Sequence, residues 1–403
     1  MALQLRFMEW TSNWNICKIG DIAEIIGGGT PRTEIDSYWD GDIKWFTPSE
    51  IGKSKYIFES ERHITEKGLK NSSAKLLPKY TILLSSRASV GEVSIALTEC
   101  STNQGFQSLI TKNNVDNEFI YYLISTMKNE FLKKSSGSTF LEISKNELKR
   151  ININIPTLDE QKRISDFFST LDNKIKLLNN KHKYYQDFKK YLLQQIFTSA
   201  EKLQFDYKQD IGMFKLKELC TVTKGKQLNK DCMIDNGEFY VLNGGVNPSG
   251  FTNNWNTMKN TISISEGGNS CGYVNFNTEN FWSGGHCYTL DSLKKNVNVY
   301  YLYSFLKAIE SKIMRLRVGS GLPNIQKGDI ESLLIAIPHL KEQEKIANFL
   351  SAVDKKIDLI QTQIDEMEKF KKGLLQQMFI FSRINSLIIT ISNISKTWCF
   401  NEN

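Results

Sequence analysis

The sequence repeats part of itself, and this repeat constrains the fold more than any other feature. The segment that begins at Ile155, IPTLDEQKRISDFFSTLDNKI, returns 182 residues later at Ile337 as IPHLKEQEKIANFLSAVDKKI. The same offset relates FKKYLLQQIF, which begins at Phe188, to FKKGLLQQMF, which begins at Phe370. Earlier in each copy the similarity is weaker. The repeat predicts two copies of one structural unit whose first parts have diverged.

Each copy contains apolar residues at alternating steps of four and three, which is the heptad pattern of a coiled-coil seam. An Ile-Pro pair precedes each pattern and predicts the helix start, because a residue before proline avoids the helical region. We predict long helices over 157–200 and 339–380, the first about 60 Å long. Ordinary core helices are the alternative. The predicted seam comprises Ile164, Phe168, Leu171, Ile175, Leu178, His182 and Tyr185 in the first copy, and Ile346, Leu350, Val353, Ile357, Ile360, Ile364 and Met367 in the second.

The part before each helix predicts a mixed α+β domain. Short β-rich runs, such as those beginning at Tyr80, Glu92 and Thr261, are separated by glycine and asparagine clusters typical of turns. Gly91 and Gly272 are predicted to form tight turns. The resulting division is a first domain over 1–156, a helix over 157–200, a second domain over 201–338, a helix over 339–380, and a tail of unknown role over 381–403.

Composition narrows the class of protein without fixing its partner. The seven cysteines include no C-x-x-C pair, which indicates reduced thiols in a cytoplasmic protein rather than a zinc ribbon. No signal peptide is recognisable, and the apolar stretch from Met378 to Ser392 is too short to span a membrane. The net charge of +7 permits a nucleic-acid partner but does not require one, since local clusters form the electrostatic footprint.

Sequence motifs for catalysis are missing. Gly52-Lys53-Ser54 lacks the first glycine of a phosphate-binding loop, and Gly27-Gly28-Gly29 lacks dinucleotide spacing. The four histidines are too scattered to predict a metal site. The pair His286-Cys287 could suggest a nucleophile, but a loop thiol beside a histidine is an ordinary arrangement. We therefore predict no catalytic residue and no metal site.

The duplicated Pro-x-Leu-x-Glu-Gln-x-x-Ile motif, followed each time by a long helix, resembles the specificity subunit of type I restriction-modification systems. The resemblance extends from about residue 14 to residue 380. It implies two target recognition domains that each read half of a split double-stranded DNA site, separated by two antiparallel helices with pseudo-two-fold symmetry. It also implies two methyltransferase subunits and restriction/translocase subunits as partners. S-adenosylmethionine, ATP and Mg²⁺ would belong to those partners, and no cofactor is expected in this chain. The tail departs from the family pattern.

DNA reading requires polar side chains on exposed loops for base edges and cations for phosphates. For each residue chosen on this basis, a solvated loop or a turn-capping role is the alternative. In the first domain the candidates are Arg32, Lys44, Ser86, Arg87, Asn103 and Gln104, with Lys133 and Lys134 for phosphate. In the second domain they are Lys226, Asn243, Asn247, Asn269, His286, Arg315 and Arg317.

Two other functions remain open at this point. A non-enzymatic coiled-coil scaffold with two binding modules would show no DNA specificity and no methyltransferase partner. An enzyme fused to a specificity module would need a catalytic motif, which the sequence does not offer.

Overall fold

The computed structural model describes residues 4–7, 9–10, 12–137, 141–198, 211–319, 323–380 and 388–390. The chain divides into two compact units. The first comprises 1–177 and 364–403, and the second comprises 178–363. Each unit therefore contains one diverged domain and a part of both long helices.

The first unit is mixed α+β. Its main sheet has five strands in the order β3-β10-β7-β8-β5, beside a three-stranded sheet, β6-β4-β9, and the pair β11-β2. The strands are β1 (Gln4–Arg6), β2 (Asn15–Lys18), β3 (Ala23–Gly27), β4 (Trp39–Phe46), β5 (Tyr56–Ile57), β6 (Arg62–Ile64), β7 (Ile82–Leu84), β8 (Val93–Ala96), β9 (Ser101–Thr102), β10 (Gln107–Thr111) and β11 (Asn152–Ile155). The helices are α1 (Ile19–Ile22), α2 (Glu66–Lys70), α3 (Asn117–Ser125), α4 (Lys128–Lys134) and α5 (Lys145–Arg150), with a 3-10 turn at Asp36–Tyr38.

The second unit repeats this plan with a main sheet that is one strand smaller. A four-stranded sheet has the order β13-β19-β16-β17, a three-stranded sheet the order β15-β14-β18, and β12 pairs with β20. The first long helix is α6 (Leu158–Phe197). The following strands are β12 (Gly212–Lys215), β13 (Thr221–Lys224), β14 (Phe239–Leu242), β15 (Gly250–Thr252), β16 (Thr261–Ser265), β17 (Val274–Asn277), β18 (Trp282–Ser283), β19 (Cys287–Asp291) and β20 (Leu334–Ile337). The helices are α7 (Leu216–Leu219), α8 (Val299–Ala308), α9 (Glu310–Met314), α10 (Lys327–Glu331) and the second long helix, α11 (Leu340–Leu375), with a 3-10 turn at Lys230–Cys232.

The two long helices confirm the heptad prediction. They have 40 and 36 residues, and a π turn at Gln376–Ile380 ends the second. Most seam residues are buried, including Ile164, Phe168 and Leu350 with no exposed surface, whereas Ile175 and Ile357 are half-buried. The seam therefore packs against the domain cores.

Within the first unit the segments of the two long helices run antiparallel. The rings of Phe168 and Phe379 lie 6.0 Å apart. Asp172, one turn after Phe168, pairs with Lys371, which lies about two turns before Phe379. In the second unit Lys189 pairs with Asp354 at 2.5 Å. Asp354 and Lys371 follow Asp172 and Lys189 by the repeat offset. The same ion pair is therefore made once in each unit.

The glutamine of the repeated motif fixes each long helix to its own domain. The side chain of Gln161 accepts the backbone N–H of Asp116 at 2.9 Å and donates to the carbonyl of Pro156 at 2.9 Å. Gln343 makes the same bonds to Asn298 and Pro338, also at 2.9 Å. Asp116 and Asn298 are the N-caps of α3 and α8. The two copies thus share one joint between domain and helix.

Each domain contains a pair of consecutive short helices, with breaks at Thr126–Met127 between α3 and α4 and at Ile309 between α8 and α9. Gly91 and Gly272 do lie in tight turns with φ of 91° and 90°. The tail contributes Ile388–Thr390 (β21), which pairs in parallel with β1, and its other residues beyond Ile380 lie outside the described part. No described helix is long and apolar enough to cross a membrane.

Candidate nucleic-acid interface

Four loops of the second domain converge at one end of its sheets. Lys226 donates its backbone N–H to Ser283 at 2.9 Å, and Gly284 donates to Leu242 at 2.8 Å. Glu266 donates to the carbonyl of His286 at 2.9 Å. We call residues 224–228, 243–249, 266–270 and 284–286 the second loop cluster. Its backbone framework is continuous, so side chains from four distant stretches of sequence share one surface.

A glycine allows these loops to approach each other. A Cβ at Gly225 would lie 2.3 Å from the carbonyl oxygen of Gly284, well inside van der Waals contact. In the first domain a Cβ at Gly28 would lie 2.1 Å from the carbonyl oxygen of Asn103. The two glycines occupy the same place after β13 and β3. In both domains, therefore, two loops approach each other closely at an equivalent glycine.

The first domain brings together the corresponding loops. Gly29 donates to Thr102 at 2.8 Å, Ser86 donates to Gly105 at 2.7 Å, and Asn103 donates to Phe46 at 3.1 Å. We call residues 27–32, 47–48, 85–89 and 103–106 the first loop cluster. Because the framework is shared and the side chains differ, the two clusters present different surfaces on similar supports.

In the first domain the structure leaves some candidates accessible and places others in tertiary contacts. Lys44 is not a free cation, since its amine donates to the carbonyl of Phe58 at 2.6 Å and pairs with Glu59 at 2.9 Å. Ser86 was expected on an exposed loop but is completely buried, because its backbone N–H and C=O tie it to Gly105 and Ile143. At both positions tertiary contacts occupy groups that the local sequence left open.

The other first-domain candidates are accessible to different degrees. Arg32 is exposed, and Gln104 is exposed while accepting a hydrogen bond from Thr30 at 2.5 Å. Asn103 accepts the N–H of Gly105 at 2.8 Å, which is a turn-capping contact. Arg87 pairs with Glu142 at 2.7 Å and keeps 45% of its side chain exposed. Lys133 and Lys134 are exposed at the end of α4.

The second-domain candidates are mostly exposed. Asn243 is the exception, because it is half-buried and accepts the backbone N–H of His286 at 3.2 Å. Arg315 and Arg317 follow α9. The next residue, Val318, forms a β-bridge with Asn324, and Asn324 forms another with Gly267 of the second loop cluster. The exposed candidates are Lys226, Asn247, Asn269, His286, Arg315 and Arg317.

Sequence reasoning missed a charged group in the second loop cluster. The carboxylate of Glu266, only 6% exposed, accepts from Lys224 at 2.6 Å and from the hydroxyl of Tyr288 at 3.0 Å. His286 Nδ1 lies 3.5 Å from its other oxygen. Burial and the bond to Glu266 raise the pKa of Tyr288, so this tyrosine stays protonated and donates. The alternation Lys224-Gly225-Lys226 was the one local signal for this group.

The cluster does not have the chemistry of a catalytic site. Burial raises the pKa of Cys287, so the thiol beside His286 stays protonated and is a poor nucleophile. Among the described residues there is no group of three or more His, Cys, Asp or Glu side chains placed to hold a metal ion. The arrangement offers hydrogen-bond donors, acceptors and cations on exposed loops, which is what recognition of a polar, anionic surface needs.

Comparison with known proteins agrees with this architecture. A family model described as "Type I restriction modification DNA specificity domain" matches residues 11–184 and 208–369. The chain is 31% identical over 406 residues to the "Type I restriction enzyme MjaIX specificity subunit" of Methanocaldococcus jannaschii, covering 91% of this chain and 92% of that protein. It is 29% identical over 201 residues to the "Type I restriction enzyme EcoR124I/EcoR124II specificity subunit" of Escherichia coli, covering 45% and 49%.

The fold is also shared with solved structures. The S subunit of a type I restriction-modification system from M. genitalium superposes with a TM-score of 0.62 at 20% identity, covering 94% of this chain and 99% of that chain. A chain from a study of "complex assembly" and conformational transition of the type I R-M system gives a TM-score of 0.60 at 15% identity, covering 91% and 98%.

Proposed function

Because the chain belongs to the family of type I restriction-modification DNA specificity proteins, we propose that it reads a bipartite, asymmetric DNA site with its two loop clusters. It acts as the non-catalytic specificity subunit of such a complex. The observation that carries this proposal is the pair of loop clusters, which have equivalent backbone frameworks but different side chains. Similar readers on a repeated frame suit the pseudo-two-fold backbone of duplex DNA, and their different side chains suit two unlike half-sites.

Base reading falls to the accessible polar side chains of each domain. In the first domain Arg32 and Gln104 are suited to base edges, Arg87 to either base or phosphate, and Lys133 and Lys134 to phosphate. In the second domain Asn247, Asn269 and His286 are suited to base edges. Lys226, Arg315 and Arg317 are suited to the backbone or to guanine.

We propose two methyltransferase subunits and restriction/translocase subunits as partners, docked on the outer faces of the long helices. The supporting observation is apolar surface opposite the seam: Leu177, Tyr184 and Tyr191 follow each other at intervals of seven and are 64%, 66% and 54% exposed. Large aromatic side chains left in water at heptad spacing are typical of a protein-binding surface. S-adenosylmethionine, ATP and Mg²⁺ would be bound by those partners.

Methylation mapping tests the function directly. Methylome sequencing of cells with and without this chain should reveal one split motif that depends on it. In the variant Arg32→Ala/Gln104→Ala we expect relaxed specificity in one half-site. In Asn247→Ala/Asn269→Ala we expect it in the other, because each bidentate hydrogen-bonded pair with a base contributes about 1–3 kcal/mol of discrimination.

Lys44→Met is the matched control. Its amine is already held by Phe58 and Glu59, so both half-sites should keep their sequence. A methylation pattern that does not change when the chain is deleted would instead support a scaffold without DNA specificity.

A further inference from the structure

A basic groove runs from the second loop cluster across the same domain. It has a volume of about 920 Å³, far more than a single ion needs, and is partly open to solvent. Lys224, Lys226 and Ser283 form one end, and the two lysines belong both to the groove and to the loop cluster. The groove continues to the segment before α8, where Lys294 and Lys295 line it. A DNA strand read by the loops can therefore continue into the groove without leaving the surface.

The groove has an excess of positive charge. Its lining includes five lysines, namely Lys224, Lys226, Lys259, Lys294 and Lys295, against the two carboxylates of Asp291 and Glu344. Lys224 is paired with Glu266, and Asp291 accepts a hydrogen bond from Thr289 at 2.9 Å. The other four lysines are exposed. The N-cap Asn298 and the first residue of α8, Val299, also line the groove and add the positive end of a ten-residue helix.

The first domain carries fewer lysines at the equivalent positions. Counted from the ends of β3 and β13, Gly27 and Gly29 take the places of Lys224 and Lys226. The repeat places Lys79, which is exposed, opposite Lys259, and Lys112 and Asn113 opposite Lys294 and Lys295. Lys112 donates to the carbonyl of Asp21 at 2.6 Å. The excess of lysines is therefore larger in the second domain, with five lysines against two at the equivalent positions of the first.

We propose that this groove binds the phosphates of the DNA strand beside the second half-site and so anchors the complex to the DNA backbone. The proposal rests on the proposed function and assigns the two domains unequal roles. Flexible ammonium groups are point charges suited to phosphate oxygens, whereas base reading favours planar or bidentate groups. The groove supplies affinity, and the loop clusters supply sequence discrimination.

The salt dependence of binding tests this proposal. The full chain, with its partner subunits, is titrated against a duplex that carries the methylated motif and against one with both half-sites scrambled. Each phosphate contact contributes about 0.9 to the slope of log K against log salt. For Lys259→Ala/Lys294→Ala, two exposed lysines on different loops of the groove, we expect the slope to fall by about two on both duplexes. The ratio of specific to scrambled binding should stay the same.

The control variant Lys217→Ala/Lys312→Ala removes the same charge from exposed positions of the same unit outside the groove. Its slope should match that of the unaltered chain. An unchanged slope in the groove variant, or an equal fall in both variants, would overturn the proposal. A failure of the unaltered chain to prefer the specific duplex would instead contradict the proposed function itself.

Discussion

Gln161 and Gln343 explain why the repeated motif contains a glutamine at this position. Each side chain is at most 1% exposed and uses both ends of its amide, the oxygen for a backbone N–H and the nitrogen for a carbonyl. A carboxylate has no donor, and an apolar residue satisfies neither partner. The motif therefore needs one side chain that accepts a hydrogen bond from the domain and donates one to the carbonyl of the proline before the helix.

Replacing either glutamine by leucine should destabilise its unit. In Gln161→Leu the N–H of Asp116 and the carbonyl of Pro156 are left without this partner, and each buried unpaired group costs about 1–3 kcal/mol. We expect a comparable loss for Gln343→Leu, measured by urea unfolding. Gln194→Leu, at an exposed position of α6, is the control and should change stability by less than about 0.5 kcal/mol. Equal effects at buried and exposed positions would contradict this role.

Arg6 and Glu160 form a buried ion pair for which we find no equivalent in the described part of the second copy. The guanidinium donates twice to the carboxylate, at 2.6 Å each, and Trp14 donates a third bond at 3.2 Å. Arg6→Met should cost about 3–5 kcal/mol because the carboxylate is left buried without a counter-charge. In Arg6→Met/Glu160→Gln most of this stability should return, since the amide that replaces the carboxylate is neutral and still accepts from Trp14. A double-mutant cycle that shows simple additivity would contradict the coupling.

At the level of the elements, each long helix has a buried face and an exposed face that can be separated by experiment. Ile175 and Ile357 lie on the seam, whereas Leu177 and Leu359, two positions later, are 64% and 50% exposed. Ile357 and Leu359 follow Ile175 and Leu177 by the repeat offset, so each face is represented by equivalent residues on the two helices.

Charging the two faces should therefore give different results. In Ile175→Asp/Ile357→Asp carboxylates enter half-buried apolar contacts, and we expect a loss of about 3 kcal/mol or more in thermal or urea unfolding. In Leu177→Asp/Leu359→Asp stability should be nearly unchanged, while co-purification of a methyltransferase partner should weaken. A seam variant with unchanged stability would show that the heptad residues do not form the interior contact.

At the level of the whole molecule, the shared joint between domain and helix predicts that a reader can be exchanged. Replacing residues 215–318 by the matching region of a relative should change one half-site and leave the other as it was, because the domain cores are separate in the two units. Methylome sequencing of the exchanged strain measures both halves at once. Loss of both half-sites together would indicate a single composite reading surface.

The helices should also determine the unread gap between the half-sites. Four residues inserted after Leu177 and four after Gln363, where both helices pass from one unit to the other, add about 6 Å to each helix. Four residues roughly preserve the apolar phase. With DNA steps of about 3.4 Å, the gap in the methylated motif should widen by one or two base pairs. The same insertion between Phe197 and Thr198 falls where α6 ends and should leave the gap unchanged.

The sequence predicted the parts of this molecule that depend on local periodicity. The heptad spacing of residues such as Ile164 and Phe168 predicted the long helices, and Gly91 and Gly272 predicted tight turns. The loop clusters were predicted less well, because their properties come from residues far apart in the chain. Burial of Ser86 depends on Gly105 and Ile143. The charged group around Glu266 needs residues from β13, β16 and β19, which no local pattern connects.

The basic groove gives the molecule an order of events as well as a place to bind. Long-range attraction brings the more positive surface to the DNA first, so the second domain should make the initial encounter. Held by phosphates alone, it remains free to slide, because such contacts are the same at every step of the duplex. The first domain then samples successive positions until its own half-site passes beneath it. The first encounter would thus fall to one reader, whereas the choice of sequence needs both of these diverged copies.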